Sequence, residues 1–282
     1  MIENVNFENA TFEDLADFYR TKFYKVNFEK TDFKNIAVFS ESEFYCDVNF
    51  NYTKFLATSI FKDTVITGKL NLRDTIFKDE ANFLDIKLSK VGNRETARII
   101  KDSFEQQNNI IEANKYYALE MKEREKELEK DLKNGKNFFE WLVFKIHGIS
   151  SNHSQDWLLA LFWILNITFS LLTTQESIKI FGNSLVAYIP IITMIVLGVI
   201  TSNIDDKKSL TIFLFLITFL NFGVFKIISK EHSLDCISQK INPFSIMTEL
   251  SNIDFVTFVY KIIIAYLIYQ FIVSIRQNTR RK

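Results

Sequence analysis

The chain has 282 residues and 48% hydrophobic residues, and its 34 Lys plus Arg are balanced by 34 Asp plus Glu. That length holds two or three folded units, and the zero net charge gives no reason to expect nucleic acid as a partner. The hydrophobic fraction, with only 7 Gly and 2 Pro, is accounted for by apolar runs toward the C-terminus.

The first ten residues carry neither a basic n-region nor an apolar h-region, so no cleavable signal peptide is expected. Cys46 and Cys236 have no CxxC spacing and no reason to pair, and both are read as free thiols. From Val5 to Ile86 a phenylalanine returns every five or six residues: Phe7, Phe12, Phe18, Phe23, Phe28, Phe33, Phe39, Phe44, Phe50 and Phe55. Two places before each stands a small residue (Val5, Ala10, Ala16, Thr21, Val26, Thr31, Ala37, Ser42, Val48, Thr53), and a mostly polar one lies between. A period near five fits neither the 3.6 of a helix nor a flat strand, so the chain turns a corner once per repeat. This predicts a square-sectioned β-solenoid of about four coils with the phenylalanines and small residues inside. After Phe55 the inward series is expected to continue through Ile60, Val65 and Leu70 to Phe77 and Phe83.

The triplets Ala10-Thr11-Phe12, Val26-Asn27-Phe28, Thr31-Asp32-Phe33 and Ala81-Asn82-Phe83 resemble the pentapeptide-repeat proteins, whose pattern is small, polar, Leu or Phe, polar, variable. The resemblance covers about the first third of the chain and implies a right-handed quadrilateral β-helix; the six-residue steps must be absorbed as bulges or wider corners. Some family members look like duplex DNA and bind topoisomerases. That role needs a strongly acidic surface, and residues 1–90 hold 15 acids against 12 bases, so a rigid surface for a protein partner or for self-association is the expected use.

At Gly92 the period changes. Ala97, Ile100 and Phe104 fall at helical spacing within 94–107, Asn108 and Asn109 form a turn, and a second helix over 110–132 carries Ile111, Ala113, Tyr117 and Met121. This αα-hairpin resembles one tetratricopeptide-like unit and is placed to cap the last coil. Residues 120–136 alternate Glu and Lys and read as a solvated helical face ended by Asn134-Gly135. Phe138, Phe139, Trp141, Leu142, Phe144 and Ile146 then make an aromatic stretch suited to the headgroup plane.

Four apolar runs follow, at about 157–173, 184–201, 209–228 and 255–275, each near the roughly 20 residues that cross a bilayer. Lys207 and Lys208 between the second and third, and Arg276, Arg280, Arg281 and Lys282 at the end, put both termini in the cytoplasm by the positive-inside rule. The connections 174–183 and 229–254 are then external. The fold class is α+β: a pentapeptide-repeat-like β-solenoid over 1–91, a helical hairpin with a juxtamembrane segment over 92–156, and a four-helix transmembrane region over 157–282.

Chemistry is sparse. His147, His153 and His232 are spread along the chain, no cluster has metal-ligand spacing, and no phosphate loop or nucleophile motif is present, so neither an enzyme nor a cofactor is expected. Ser150-Ser-Asn-His153 reads as a polar linker for want of an orienting acid. The order helix, loop, helix at the C-terminus resembles two-span ion-channel modules, and residues 240–247 read as a re-entrant segment. No glycine follows Gly223, so a carbonyl filter of the potassium type is excluded. The candidate pore or intramembrane polar residues are Asn166, Asn221, Asn242, Ser245, Glu249, Lys261 and Gln270, with snorkelling as the alternative for Lys261 and helix contacts for Asn166, Asn221 and Gln270. The leading expectation is a multi-pass protein of the inner (cell) membrane whose cytoplasmic solenoid serves as an interaction or sensing platform for a cytosolic protein. The alternative is a homo-oligomeric channel or transport protein with a pore in its last two spans.

Overall fold

The computed structural model describes residues 2–201, 204, 206–229, 235–247 and 255–279. The chain forms two compact units, the first ending at Trp141 and the second spanning Leu142–Thr279.

The first unit opens with a β-solenoid whose strands, most of two residues, pair only in parallel. They form one six-stranded sheet and two four-stranded sheets. Strands Lys22–Asn27 and Val65–Asn71 run through a corner, so the larger sheet serves two of the four sides. Ile2 pairs with Phe23 and Leu70 with Val48, a coil length of 21 or 22 residues that equals four pentapeptides plus the extra residues of the six-residue steps.

Each side carries one column of inward side chains. Phe12, Phe33, Phe55 and Phe77 lie ring on ring at 4.8–4.9 Å within 4° of parallel. Phe18, Phe39, Phe61 and Phe83 do the same at 4.9–5.1 Å, and Phe7, Phe28 and Phe50 at 4.8–5.1 Å. Neighbouring columns meet edge to face, as at Phe28–Phe39, the arrangement an aromatic quadrupole favours. Burial of each ring contributes about 1.5–3 kcal/mol. The small position has its own reason for Thr and Ser. Thr31, Thr53, Thr64 and Thr75 each donate their hydroxyl to a Phe carbonyl of the preceding coil at 2.6–2.8 Å, so these polar groups are satisfied next to the core.

The inward series beyond Phe55 differs from the expected one by a residue. A six-residue step puts Phe61, Ile66 and Leu72 inside, whereas Ile60 and Val65 are only half-buried and Leu70 fills a small-residue position. The corners explain the step. Asn9, Arg20, Lys30, Glu41, Tyr52, Asp63, Asp74 and Asp85 have φ between 53° and 59°, each two places after an inward residue, and the chain closes over them with turn hydrogen bonds such as Thr53 N–H to the Phe50 carbonyl. Left-handed corners thus alternate with open ones that absorb the extra residue.

Helix α1 (Arg94–Gln106) starts where Asn93 Oδ1 accepts the Thr96 N–H, and α2 (Ile110–Lys133) returns along it. As expected, the hairpin covers the last coil. Ile100, Phe104, Ala113 and Tyr116 join the phenylalanine core, Thr96 Oγ1 accepts the Leu72 N–H, and Ser103 donates to the Ala81 carbonyl. The inner face of α2 runs through Ala113, Tyr116 and Glu120, while Ile111 is exposed. The charged run is therefore not wholly solvated: Glu120 is buried and receives Lys101 Nζ at 3.0 Å.

The second unit holds the rest of α3 (Phe138–Ser151), then α4 (Trp157–Phe181), α5 (Ile189–Thr201), α6 (Lys207–Ser229), α7 (Asp235–Ile241) and α8 (Phe255–Thr279). Helix α4 is central and packs against α5, α6, α7 and α8. Among the described residues three helices are long and apolar enough to cross a membrane: Trp157–Phe181, Lys208–Ser229 and Phe255–Thr279. The expected span at 184–201 is a shorter apolar segment, a 3-10 turn Leu185–Tyr188 running into the 13 residues of α5.

Candidate functional site

The polar residues of the second unit gather into three separate clusters. In the first, Asn221 Nδ2 donates to Asn166 Oδ1 at 2.6 Å, and Asn166 Nδ2 donates at 2.8 Å to both Thr218 Oγ1 and the Phe162 carbonyl. Asn166 and Asn221 thus join α4 to α6, with their hydrogen-bonding capacity turned to the protein interior.

The second cluster surrounds Lys261, which is 3% exposed. Its ammonium lies on the carbonyls of Gln239, Lys240 and Asn242 at 2.9, 3.0 and 2.7 Å and on Ser245 Oγ at 2.7 Å. The carbonyl end of a helix carries partial negative charge, and the ammonium binds that end of α7. Lys261 thus meets three backbone carbonyls and the Ser245 hydroxyl of the segment 239–245, where the sequence suggested either a polar path or snorkelling. Residues 240–247 are the end of α7 and the 3-10 turn Pro243–Met247, with Ile237 and Ile241 packed on Phe169 and Phe225. Asn242 Oδ1 accepts the Phe244 N–H at 3.0 Å. Glu249 lies outside the described residues.

The third cluster collects around Gln270 of α8, 4% exposed. Ser151 and Ser154 both donate their hydroxyls to Gln270 Oε1, at 3.1 and 3.0 Å, and the Ser154 N–H bonds Ser151 Oγ at 2.9 Å. His147 Nε2 lies 3.1 Å from Ser154 Oγ, and its Nδ1 lies 3.3 Å from Nδ1 of His153. Ser150 Oγ lies 3.4 Å from the Tyr266 hydroxyl. The chain reaches this arrangement through three consecutive left-handed residues, Asn152, His153 and Ser154, with φ of 48°, 55° and 64°. Each costs about 1–2 kcal/mol for a residue with a Cβ, and such strain persists where the surrounding contacts fix it. Residues 150–154 are thus a buried corner and not an open linker, because Gln270 supplies the acceptor that a sequence window does not contain. Burial, with the charge of His153 beside it, holds the His147 imidazole below its ordinary value.

The solenoid presents a different surface. Tyr19, Tyr24 and Tyr45 are exposed around strand Lys22–Asn27. Glu41 accepts the Tyr19 hydroxyl at 3.0 Å and Arg20 Nε at 2.7 Å, while Glu43 accepts the Tyr45 hydroxyl at 2.5 Å and Lys22 Nζ at 2.8 Å. Pairing across coils ties Tyr19 and Arg20 to Glu41 and Lys22 to Glu43, and Tyr45 is tied to Glu43 within its own coil. Tyr and Arg are the residue types that dominate protein interfaces.

Among the described residues no group of three or more His, Cys, Asp and Glu could hold a metal ion. A family model described as pentapeptide repeats (9 copies) matches residues 7–54. No curated protein and no solved structure matches the chain. The N-terminal part is therefore similar to pentapeptide repeats, in agreement with its β-solenoid.

Proposed function

We propose that the chain is a membrane-anchored interaction platform: the pentapeptide-repeat solenoid offers a rigid surface to a protein partner, and the apolar helices hold it at the bilayer. The observation that carries this reading is the exposed patch of Tyr19, Tyr24 and Tyr45 with Arg20, in which Glu41 braces Tyr19 and Arg20 and Glu43 braces Tyr45. Bracing lowers the side-chain entropy lost on binding. The intramembrane polar residues favour an anchor over a pore, because Asn166, Asn221, Lys261 and Gln270 make their bonds within one copy of the chain.

In this reading the three long helices cross the membrane and the 17-residue segment Leu185–Thr201 crosses as a fourth, short span, at the lower end of the usual range. Lys207, Lys208, Arg276 and the basic tail then face the cytoplasm of the inner membrane together with the solenoid. Helix α3, with Phe138, Phe139, Val143 and Ile146 exposed, rests at the headgroup level.

A photo-crosslinking residue at Tyr24 or Tyr45 in the full-length protein in cells should give a discrete adduct with a protein, lost on Arg20→Glu. Vesicles containing the purified protein should show no ion flux. A flux abolished by Asn242→Ala, with no adduct at either tyrosine, would transfer the reading to the channel alternative.

A further inference from the structure

A groove in the second unit has walls whose chemistry decides what can fill it. It lies between α3, α4 and α8 and holds about 480 Å³. Trp163, Leu267 and Ser150 are buried at its floor, while Val143 and Ile146 of α3 and Ile262 and Ile263 of α8 form its exposed rim. Three polar groups reach the lining, and each is spent inside the protein. Trp163 Nε1 donates to the Ile149 carbonyl at 2.9 Å, and Ser150 Oγ donates to the His147 carbonyl at 3.2 Å. The Tyr266 hydroxyl lies 3.4 Å from Ser150 Oγ, which has given its proton and so accepts here. Gly198 of α5 lets that helix close on the Trp163 ring, which a Cβ there would meet at 3.3 Å, so the floor is set by the packing of the helices.

Such a lining excludes most occupants. A buried water needs two to four polar partners, and these walls offer none. An α-helix is about 10–12 Å across with its side chains, so a single turn takes up roughly 500 Å³, the whole of the groove. A carboxylate or phosphate would find no cation among the residues that line it. Hydrocarbon is what remains. A methylene fills close to the roughly 30 Å³ of a water molecule, so the groove has room for a chain of about 16 carbons. Its rim runs into the outward apolar face of α8, where Phe258 and Val259 are exposed beside Ile262 and Ile263. Helices α4 and α8 are two of the three that are long and apolar enough to cross a membrane.

We propose that this groove binds one acyl chain of a membrane phospholipid, with the headgroup left outside; the proposal rests on the reading of α4 and α8 as membrane spans. The bonds that tie α3 to α4 and α8 leave from its last residues, Ile149, Ser150 and Ser151. A bound chain supplies the contact for the turns before them, between Val143 and Ile146 on one side and Ile262 and Ile263 on the other. The lipid is therefore a wedge on which α3 packs, held by burial of apolar surface and not by charge.

The test is tryptophan fluorescence of the full-length protein in nanodiscs of phosphatidylcholine brominated at mid-chain, a quencher that acts near contact. With Trp141→Phe and Trp157→Phe, Trp163 is the sole tryptophan, and its burial shields it from lipid outside the groove. Lipid is in large excess over protein, so the site is filled, and emission should fall at least about twofold against the unbrominated lipid. Ile146→Phe and Ile263→Phe each place a ring in the groove and should cut that quenching at least about threefold without lowering the thermal midpoint. A control probe, Phe219→Trp on the exposed face of α6 with the three native tryptophans replaced by phenylalanine, reports whether the helices lie in hydrocarbon. Quenching at 219 without quenching at Trp163 would overturn the groove site and leave the membrane reading standing, whereas quenching at neither would overturn both. Quenching at Trp163 that persists in both filling variants, or that an unbrominated fatty acid reverses, would also overturn the proposal.

Discussion

Truncating Phe39 to alanine tests the columns of the solenoid at their centre. Phe39 is fully buried, lies face to face between Phe18 at 5.1 Å and Phe61 at 4.9 Å, and meets Phe28, Phe33 and Phe50 edge-on at 5.5–5.9 Å. Removing a buried ring costs about 3–5 kcal/mol in transfer and cavity terms together, and the stacked neighbours on both sides place Phe39→Ala in the upper half of that range. Phe12 is only half-buried and has a stacking partner on one side, Phe33, so Phe12→Ala should cost about 1–2 kcal/mol. Hydrogen exchange on the intact protein separates the solenoid from the helices. Peptides from residues 30–65 should lose roughly 10³-fold or more in protection in Phe39→Ala, with α4 unaffected. Equal losses in the two variants, or a loss under about fivefold in Phe39→Ala, would show that the inward register is wrong.

Other positions give equally direct checks. Tyr52 has a φ of 59° and is exposed, whereas Asp63 at 57° is a residue type that tolerates this region. Tyr52→Gly should therefore raise the thermal midpoint by more than Asp63→Gly, by the equivalent of about 0.5–1 kcal/mol; no gain in either would refute the strained corner. A Cβ on Gly68 would lie 2.3 Å from the Cys46 carbonyl carbon, so Gly68→Ala should cost about 1–3 kcal/mol, measured by denaturant unfolding. The Lys101–Glu120 pair gives a pH dependence. Burial lowers the Lys101 value, but the bond and charge of Glu120 outweigh it and leave it raised. Its contribution is fully present below the ordinary lysine value of about 10.4 and is lost as pH rises through the raised one. Glu120→Gln should remove that alkaline loss and cost about 1.5–3 kcal/mol near neutrality.

The solenoid is legible in the sequence because its determinants are local: a small residue and a Phe at fixed spacing declare two inward positions within three residues. The same locality explains the slip after Phe55. Ile60 and Phe61 are adjacent and both apolar, and the choice between them is made by the left-handed corner at Asp63, which no glycine announces. Tyr116 and Tyr117 set the same trap on α2, where packing against Phe104 selects Tyr116. Apolar length reveals the helices able to cross a membrane, but the surroundings of Lys261 and Gln270 do not follow from it. The partners of Lys261 include backbone carbonyls 19 to 22 residues away and the Ser245 hydroxyl 16 away, and those of Gln270 include serines 116 and 119 residues away. His147 and His153 meet because Asn152, His153 and Ser154 all turn left-handed, a conformation their residue types permit without signalling it.

Every ladder partner in the solenoid lies 21 or 22 residues along the chain, which makes this a fold that can close during synthesis. At about 5–20 residues per second, a coil leaves the ribosome every few seconds, whereas closing a short loop takes well under a millisecond. Each new coil finds the ring surface of the previous one already in place. The phenylalanines are then sequestered before the apolar run beginning at Trp157 is made, so the ring core and the long apolar helices need not be exposed together.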